Sequence, residues 1–208
     1  MRIGVLGGSF DPIHNGHLYL AGEAQNRLCL DKVIVVPNWN NPLTPKNMGA
    51  SADDRFCMAM GATAHLPRIE LDSVEVDRKK VTYSIDVLQH IHKKWKKQTS
   101  PSETYFLVGA DAASQMEGWL GIEEFGQWCT VAVHHRDDHN NFDEVLNRLG
   151  IPWTGIPDAG RMQVSSTDIR GLISSGLSFE HIVPPFVAMF IKNRRLYGYT
   201  PDRDTAQD

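Results

Sequence analysis

Two histidines, His14 and His17, stand three positions apart behind the run Gly7-Gly8-Ser9-Phe10-Asp11-Pro12-Ile13, with Gly16 between them. In a helix that starts near Ile13 or Asn15, this spacing puts both rings on one face, close to the positive end of the helix. Histidine titrates near pH 6.5, so each ring can donate to an anion as a neutral or a charged group. The free backbone N–H groups of a glycine turn and of a first helical turn add donors, and glycine lets a ligand approach closely. Such a set is suited to binding phosphate. A lone histidine here would more often be a cap or a core residue, and Gly7-Gly8 alone would be a tight turn. HxGH following GGSFDP is a more specific constellation.

A second constellation is Ser165-Ser166-Thr167-Asp168-Ile169-Arg170. Its hydroxyls are N-cap residue types at a helix start, which is the plain reading for an isolated case. Arg170, one turn further in, can swing its guanidinium fork toward the anion that a helix start attracts. Gly109-Ala110-Asp111 follows a predicted strand, so the acid falls at the carboxyl edge of the sheet, where open α/β folds bind ligands. Capping of the next helix is the plainer role for Asp111. Trp119 has core packing as its plain reading. The stretch from His134 to His139 holds three imidazoles at no standard metal spacing, so it reads as a polar loop and no protein metal site is expected.

Two common nucleotide signatures are absent. The first loop lacks GxGxxG, and strand two ends in Val36-Pro37-Asn38 rather than an acid, which argues against a bound dinucleotide cofactor. No Gly-Lys-Ser or Gly-Lys-Thr follows the first strand, which removes the Walker A loop.

The elements that must position these groups alternate. Residues 3–6 form an apolar run stopped by glycines, apolar positions at helical spacing follow through Leu18, Ala21, Ala24 and Leu28, and 33–36 is a β-branched run. The spacing then predicts a helix over 54–65, a strand over 69–76, and a helix with Val87, Leu88, Ile91 and Trp95 on one face. Strands are predicted at 104–108 and 130–133, with helical composition around 112–116 between them. Continuous apolar strands suit a parallel sheet covered on both sides. The expected fold is therefore α/β: a Rossmann-like doubly wound parallel sheet with helices on both faces. A small helical part is expected over about 165–199, where Pro184-Pro185 opens a helix carrying Val187, Phe190 and Ile191. The polar stretch 137–141 reads as a loop and 200–208 as a frayed end, and with no repeat or linker one domain is expected over 1–208.

Composition narrows the partners. At 208 residues the chain can bury one sizeable core, and 41% apolar with 22% charged residues excludes disorder. A net charge of -4 provides no global field for nucleic acid or an anionic membrane. Lys93, Lys94, Lys96 and Lys97 fall at a predicted helix tail, where cations suit the dipole. Cys29, Cys57 and Cys129 form no CxxC pair and read as free thiols of a reducing compartment. Met1 leads directly into a strand without a signal-peptide layout, and no stretch is long enough to span a bilayer, so a cytoplasmic protein is expected. A homo-oligomer is compatible with this composition, which fixes no subunit number.

On these motifs the sequence resembles the nucleotidyltransferase superfamily marked by HxGH and, within it, the bacterial nicotinate mononucleotide adenylyltransferases. The resemblance covers nearly the whole chain: GGSFDPIHNGH, Pro37 with a polar loop reaching Lys46, Thr82-Tyr83-Ser84-Ile85-Asp86, Gly109-Ala110-Asp111 followed by Trp119, and the Ser165 to Arg170 segment. It implies transfer of AMP from ATP to nicotinate mononucleotide, a step of NAD biosynthesis that releases pyrophosphate. The cofactor implied is Mg²⁺ carried on the ATP phosphates.

The same resemblance makes His14, His17 and Arg170 the catalytic residues. It assigns Gly8, Ser9, Phe10, Gly16, Lys46, Asp111, Ser165, Ser166 and Thr167 to ATP, with Asp111 on a ribose. Thr82, Tyr83, Ser84 and Trp119 go to the acceptor, with Trp119 stacking on its pyridine ring. Thr82-Tyr83-Ser84 departs from the family's usual Ser-Tyr-Thr. Asn41-Pro42-Leu43-Thr44-Pro45-Lys46 departs further from the usual two prolines with His-Lys, of which Lys46 survives. Alternative expectations are transfer to nicotinamide mononucleotide or pantetheine phosphate, or a regulatory module that binds nucleotide without turnover.

Overall fold

The computed structural model describes residues 1–40, 49–96, 103–135, 141–157 and 164–201. Strands β1 (Arg2–Gly8), β2 (Lys32–Pro37), β3 (Ile69–Leu71), β4 (Glu103–Gly109), β5 (Thr130–His135) and β6 (Trp153–Pro157) form one sheet in the order β3-β2-β1-β4-β5-β6. Every adjacent pair is parallel.

Side chains along a strand alternate between faces, and the two faces carry separate cores. Leu6, Val33, Val35, Leu107, Ala132 and Ile156 belong to one core. Ile3, Val5, Ile34, Val36, Phe106, Val108, Val131 and Val133 belong to the other. Burying one such aliphatic side chain is worth roughly 1.5–3 kcal/mol. A one-residue slip would exchange the faces of a whole strand, so the two cores hold the register between them.

The first core is closed by α1 (Asn15–Arg27), α2 (Ala52–Thr63), α8 (Ser166–Ser174) and α9 (Pro185–Arg194), through Leu20, Ala24, Met58, Ala62, Ile169, Ile173, Val187 and Ile191. On the opposite face lie α3 (Val74–Arg78), α4 (Ser84–Lys96), α5 (Ala110–Ala113), α6 (Phe125–Trp128) and α7 (Phe142–Arg148), through Val74, Leu88, Ile91, Ala113, Phe125 and Leu146. Helices on both faces of a parallel sheet make the expected doubly wound fold.

The strand predicted over 69–76 is shorter than expected. Pairing to β2 stops at Leu71. The Asp72 carboxylate then accepts the Val74 N–H at 3.0 Å, and this side-chain alternative to the ladder starts α3 instead. Expectations for 97, 137–140 and 202–208 lie outside the described residues. Among the described residues, no helix is long and apolar enough to cross a membrane.

From β1 the chain winds outward to β2 and β3, then returns to add β4, β5 and β6 on the other side. The connections leaving β1 and β4 therefore diverge. This switch point is where an open α/β sheet forms a crevice at its strand carboxyl ends, and it lies between Gly8 and Gly109.

Candidate active site at the β1–β4 crevice

Beyond β1 the chain turns through Ser9 to Ile13 and enters α1 with His14 as an extended N-cap residue, φ -142° and ψ 171°. The Asp11-Pro12 peptide is cis, and Phe10 takes φ 48°. The buried Phe10 ring meets His17 edge-on at 4.9 Å. The His14 and His17 rings stack with centroids 3.7 Å apart and planes inclined by 26°. The His14 backbone N–H donates to Nδ1 of His17 at 3.2 Å. That bond assigns the proton of neutral His17 to Nε2, leaving Nε2–H as its donor.

Burial brings the His14 pKa down to about 4, with the Asp168 carboxylate opposing in part. Burial and the adjacent His14 push His17 well below its ordinary value. Both rings are therefore neutral donors near pH 7, which narrows the sequence expectation of either charge state. Nδ1 of His14 is buried with no hydrogen-bond partner among the described residues. A Cβ at Gly16 would lie 3.0 Å from that nitrogen and 3.2 Å from Val164 Cγ1. The space that glycine leaves is taken by the His14 ring itself.

The distant helix α8 is bonded to this loop. Its N-cap is Ser165, whose hydroxyl accepts the Asp168 N–H at 3.1 Å. Ser166 donates its hydroxyl to the Pro12 carbonyl at 3.0 Å. Arg170 donates from Nη1 to the Asp11 carbonyl at 2.8 Å and from Nη2 to Thr167 Oγ1 at 3.2 Å. The helix start, with its dipole and free N–H groups, thus meets the loop that leads from β1 to the two histidines.

Four residues that sequence reasoning missed hold the loop in place. Arg55 is fully buried, and it donates to the Ser9 carbonyl at 2.5 Å, Asn38 Oδ1 at 3.1 Å and the Trp39 carbonyl at 2.8 Å. Burial lowers its pKa. Asn38 also donates from Nδ2 to Ser9 Oγ at 3.3 Å and from its backbone to the Gly8 carbonyl at 2.9 Å. Glu75, raised to about 7 by burial, accepts the Trp39 N–H at 3.3 Å. Asp11 is the fourth. Arg55 did leave a signal, since it sits on the apolar stripe of α2 with Met58, Ala59 and Ala62.

The groups assigned to the acceptor lie on the second face. Thr82 is buried, and its hydroxyl donates to the Lys80 carbonyl at 3.3 Å. Tyr83 is exposed, and Ser84 opens α4. Ile85 lies against Gly121, where an added Cβ would come within 2.9 Å of its Cγ2, so this segment adjoins the turn that carries Trp119. The half-buried Trp119 ring packs edge-on against Phe106 at 6.0 Å and Phe125 at 6.1 Å. Its Nε1 is buried without a partner among the described residues.

Asp111 is exposed in the first turn of α5, where Gly109 rather than the acid is the N-cap. Lys46 lies outside the described residues. So do 136–139, while His134 meets Tyr19 edge-on at 6.1 Å and His135 packs on Phe142 at 5.3 Å. Among the described residues no group of three or more His, Cys, Asp or Glu side chains could hold a metal ion.

Known proteins resemble this chain in sequence and in fold. The family model described as Cytidylyltransferase-like matches residues 5–172. A protein of Clavibacter michiganensis named "Probable nicotinate-nucleotide adenylyltransferase" is 35% identical over 201 residues, covering 95% of this chain and 94% of its own. A protein of the same name from Thermoanaerobacter is 32% identical over 202 residues, with 95% and 94% covered. In fold, the chain is similar to the Plasmodium falciparum nicotinic acid mononucleotide adenylyltransferase solved with NaAD, at a TM-score of 0.76 and 19% identity over 96% of this chain and 98% of that one. With a family model matched over most of its length and relatives aligned over nearly all of theirs, this chain belongs to the cytidylyltransferase-like family and, within it, to the nicotinate-nucleotide adenylyltransferases.

Proposed function

We infer that this chain is a nicotinate-nucleotide adenylyltransferase of NAD biosynthesis, which transfers AMP from ATP to nicotinate mononucleotide. The observation that carries the reading is the junction of the HxGH loop with the start of α8, bonded through Ser166 to Pro12 and Arg170 to Asp11 at the sheet's switch point. Two sets of phosphate donors from opposite ends of the chain face one crevice.

In the proposed reaction a phosphate oxygen of the acceptor forms a bond to the α-phosphorus of ATP. The bond from that phosphorus to the bridging oxygen breaks, and the electron pair leaves with pyrophosphate. No protein nucleophile is needed, so the protein's part is positioning and stabilisation of charge. His14 and His17 donate neutral N–H bonds to the reacting phosphates, and Arg170 holds the leaving side. Gly8, Ser9, Phe10 and Gly16 shape the loop under the triphosphate, while Ser165, Ser166 and Thr167 present the α8 start. Asp111 is assigned to the ATP ribose, and Thr82, Tyr83, Ser84 and Trp119 to the acceptor. Lys46 remains an ATP contact by resemblance alone.

Imidazole N–H, guanidinium and backbone N–H groups suit phosphate oxygens, not a cation. Mg²⁺ is therefore proposed to ride on the ATP phosphates, where it neutralises charge on the triphosphate. Residues 1–208 are read as one catalytic domain, because the 165–199 part is bonded into the first loop. The free Cys29, Cys57 and Cys129 fit the proposed cytoplasmic location.

The test is pyrophosphate release from ATP with nicotinate mononucleotide, nicotinamide mononucleotide or pantetheine phosphate, with the dinucleotide product separated by chromatography. Turnover fastest with nicotinate mononucleotide is expected. Preference for another acceptor corrects the substrate, and inactivity with all three overturns the enzymatic reading.

A further inference from the structure

Asp11 is 2% exposed, yet it gathers three other segments of the chain. Its carboxylate accepts the Gly49 N–H at 2.7 Å, the Ala50 N–H at 3.0 Å and the Tyr197 hydroxyl at 2.9 Å. Its backbone carbonyl accepts from Arg170 Nη1 at 2.8 Å, and that same nitrogen stands 3.9 Å from its Oδ2. The packing is close: a Cβ at Gly49 would lie 2.7 Å from the Tyr197 ring and 3.2 Å from Arg170 Cδ. Tyr197 takes φ 58° within the short turn Leu196–Gly198, an uncommon conformation for a bulky residue.

The partners of this carboxylate are unequal. A guanidinium is the strongest donor available to a buried carboxylate, and ordinarily the two would form a short forked pair. Here three neutral donors occupy the carboxylate, and Arg170 is left at ion-pair distance with its hydrogen bond on the carbonyl. Burial and the Asp11 charge push the Tyr197 phenol well above its ordinary range, so it stays protonated as a donor. Tyr197 bonds Oδ1 while Arg170 stands nearest Oδ2, so the tyrosine acts by holding the carboxylate in its present orientation; without that bond the carboxylate can turn toward the guanidinium 3.9 Å away.

We propose that Asp11 and Tyr197 form a latch that positions Arg170: the Tyr197 hydroxyl holds the Asp11 carboxylate and so keeps the Arg170 guanidinium directed at the substrate phosphates. Asp11 and Tyr197 are positioning residues and do not touch the substrate. This inference rests on the proposed role of Arg170 at the triphosphate.

The test is a double-mutant cycle with Tyr197→Phe, which keeps the ring over Gly49, and Arg170→Ala. Two readouts are taken on all four proteins: kcat and KM for ATP in pyrophosphate release, and the Kd for ATP by calorimetry, which needs no turnover. Tyr197→Phe is expected to lower kcat/KM for ATP about tenfold in the wild-type background and less than about twofold in Arg170→Ala, with the same pattern in Kd and an unchanged KM for the acceptor. An equal loss in both backgrounds, on either readout, shows a merely structural tyrosine and overturns the latch. No loss in the wild-type background overturns it as well. A wild-type protein that binds ATP but releases no pyrophosphate with any acceptor would instead refute the proposed reaction, and the calorimetric cycle would still decide the latch.

Discussion

Nδ1 of His17 accepts the backbone N–H of His14 at 3.2 Å while the two rings stack at 3.7 Å. One histidine thus fixes the proton of the other, because a nitrogen that accepts from an amide cannot carry its own hydrogen. The pair has a structural end and a chemical end, and substitutions can separate them.

His17→Asn places an amide oxygen near the position of Nδ1 and removes the Nε2 donor. Turnover is expected to fall about 10²–10³-fold, the usual cost of losing one preorganised donor to a transition-state anion, while the thermal midpoint stays close to wild type. Pyrophosphate release and calorimetry on one preparation check both halves. Near-wild-type turnover would remove His17 from the proposed mechanism.

The same burial sets a pH dependence with opposing parts. His14 has a folded pKa of about 4 against an ordinary 6.5, and His17 is lowered as well. Between those values the unfolded chain binds more protons, so their contribution is fully present above 6.5 and declines as pH falls toward 4. Glu75, raised to about 7 from 4.5, acts in reverse: its contribution is fully present below 4.5 and is lost as pH rises through 7. The His14 and Glu75 shifts are each worth about 3 kcal/mol at most. Glu75→Gln keeps an acceptor for the Trp39 N–H and removes the titration. Its stability relative to wild type should therefore rise between pH 4.5 and 7.5 by up to about 3 kcal/mol, read from urea melts. Parallel curves for the two proteins would contradict the assignment.

The residues most legible in the sequence obey local rules. Runs such as 33–36 declare a buried strand wherever they lie, Ser165 to Arg170 sits at a helix start that its own residue types mark, and His14 and His17 stand out by their spacing behind the glycine loop. Five-residue β6 was missed because Gly155 and Pro157 carry turn chemistry within it, and α7 is only two turns long. Asp72 diverted the end of a predicted strand through one side-chain bond. Tyr197 left no trace, since its partner stands 186 positions away and no local pattern encodes such a contact. Asp11 was in view inside GGSFDP, but its burial and its partners depend on tertiary packing.

Arg55 supplies three hydrogen bonds to Ser9, Asn38 and Trp39 from a site with no exposure. Arg55→Met matches the length of the aliphatic stem and leaves two carbonyls and an amide oxygen short of a donor. Each buried unsatisfied acceptor costs about 1–3 kcal/mol, offset in part by relief of burying a guanidinium, so a net loss of roughly 2–4 kcal/mol is expected. Because Ser9 is among the groups released, affinity for ATP should fall together with stability. A variant as stable as wild type would show that the Arg55 network contributes no net stabilisation.

Gly16→Ala separates stability from activity in the opposite sense. In the first turn of α1, alanine favours the helix over glycine by up to about 1 kcal/mol. The added Cβ, however, would meet the His14 ring at 3.0 Å and Val164 at 3.2 Å, so either the ring or the start of α8 must shift by a few tenths of an ångström. A displacement of that size is tolerable for packing, but a phosphate donor depends on its geometry. The expected outcome is a thermal midpoint equal to or above wild type, with kcat lowered about tenfold or more and little change in KM for the acceptor. If kcat and midpoint rise together, the His14 ring is not a positioned donor and the chemistry rests on His17 and Arg170.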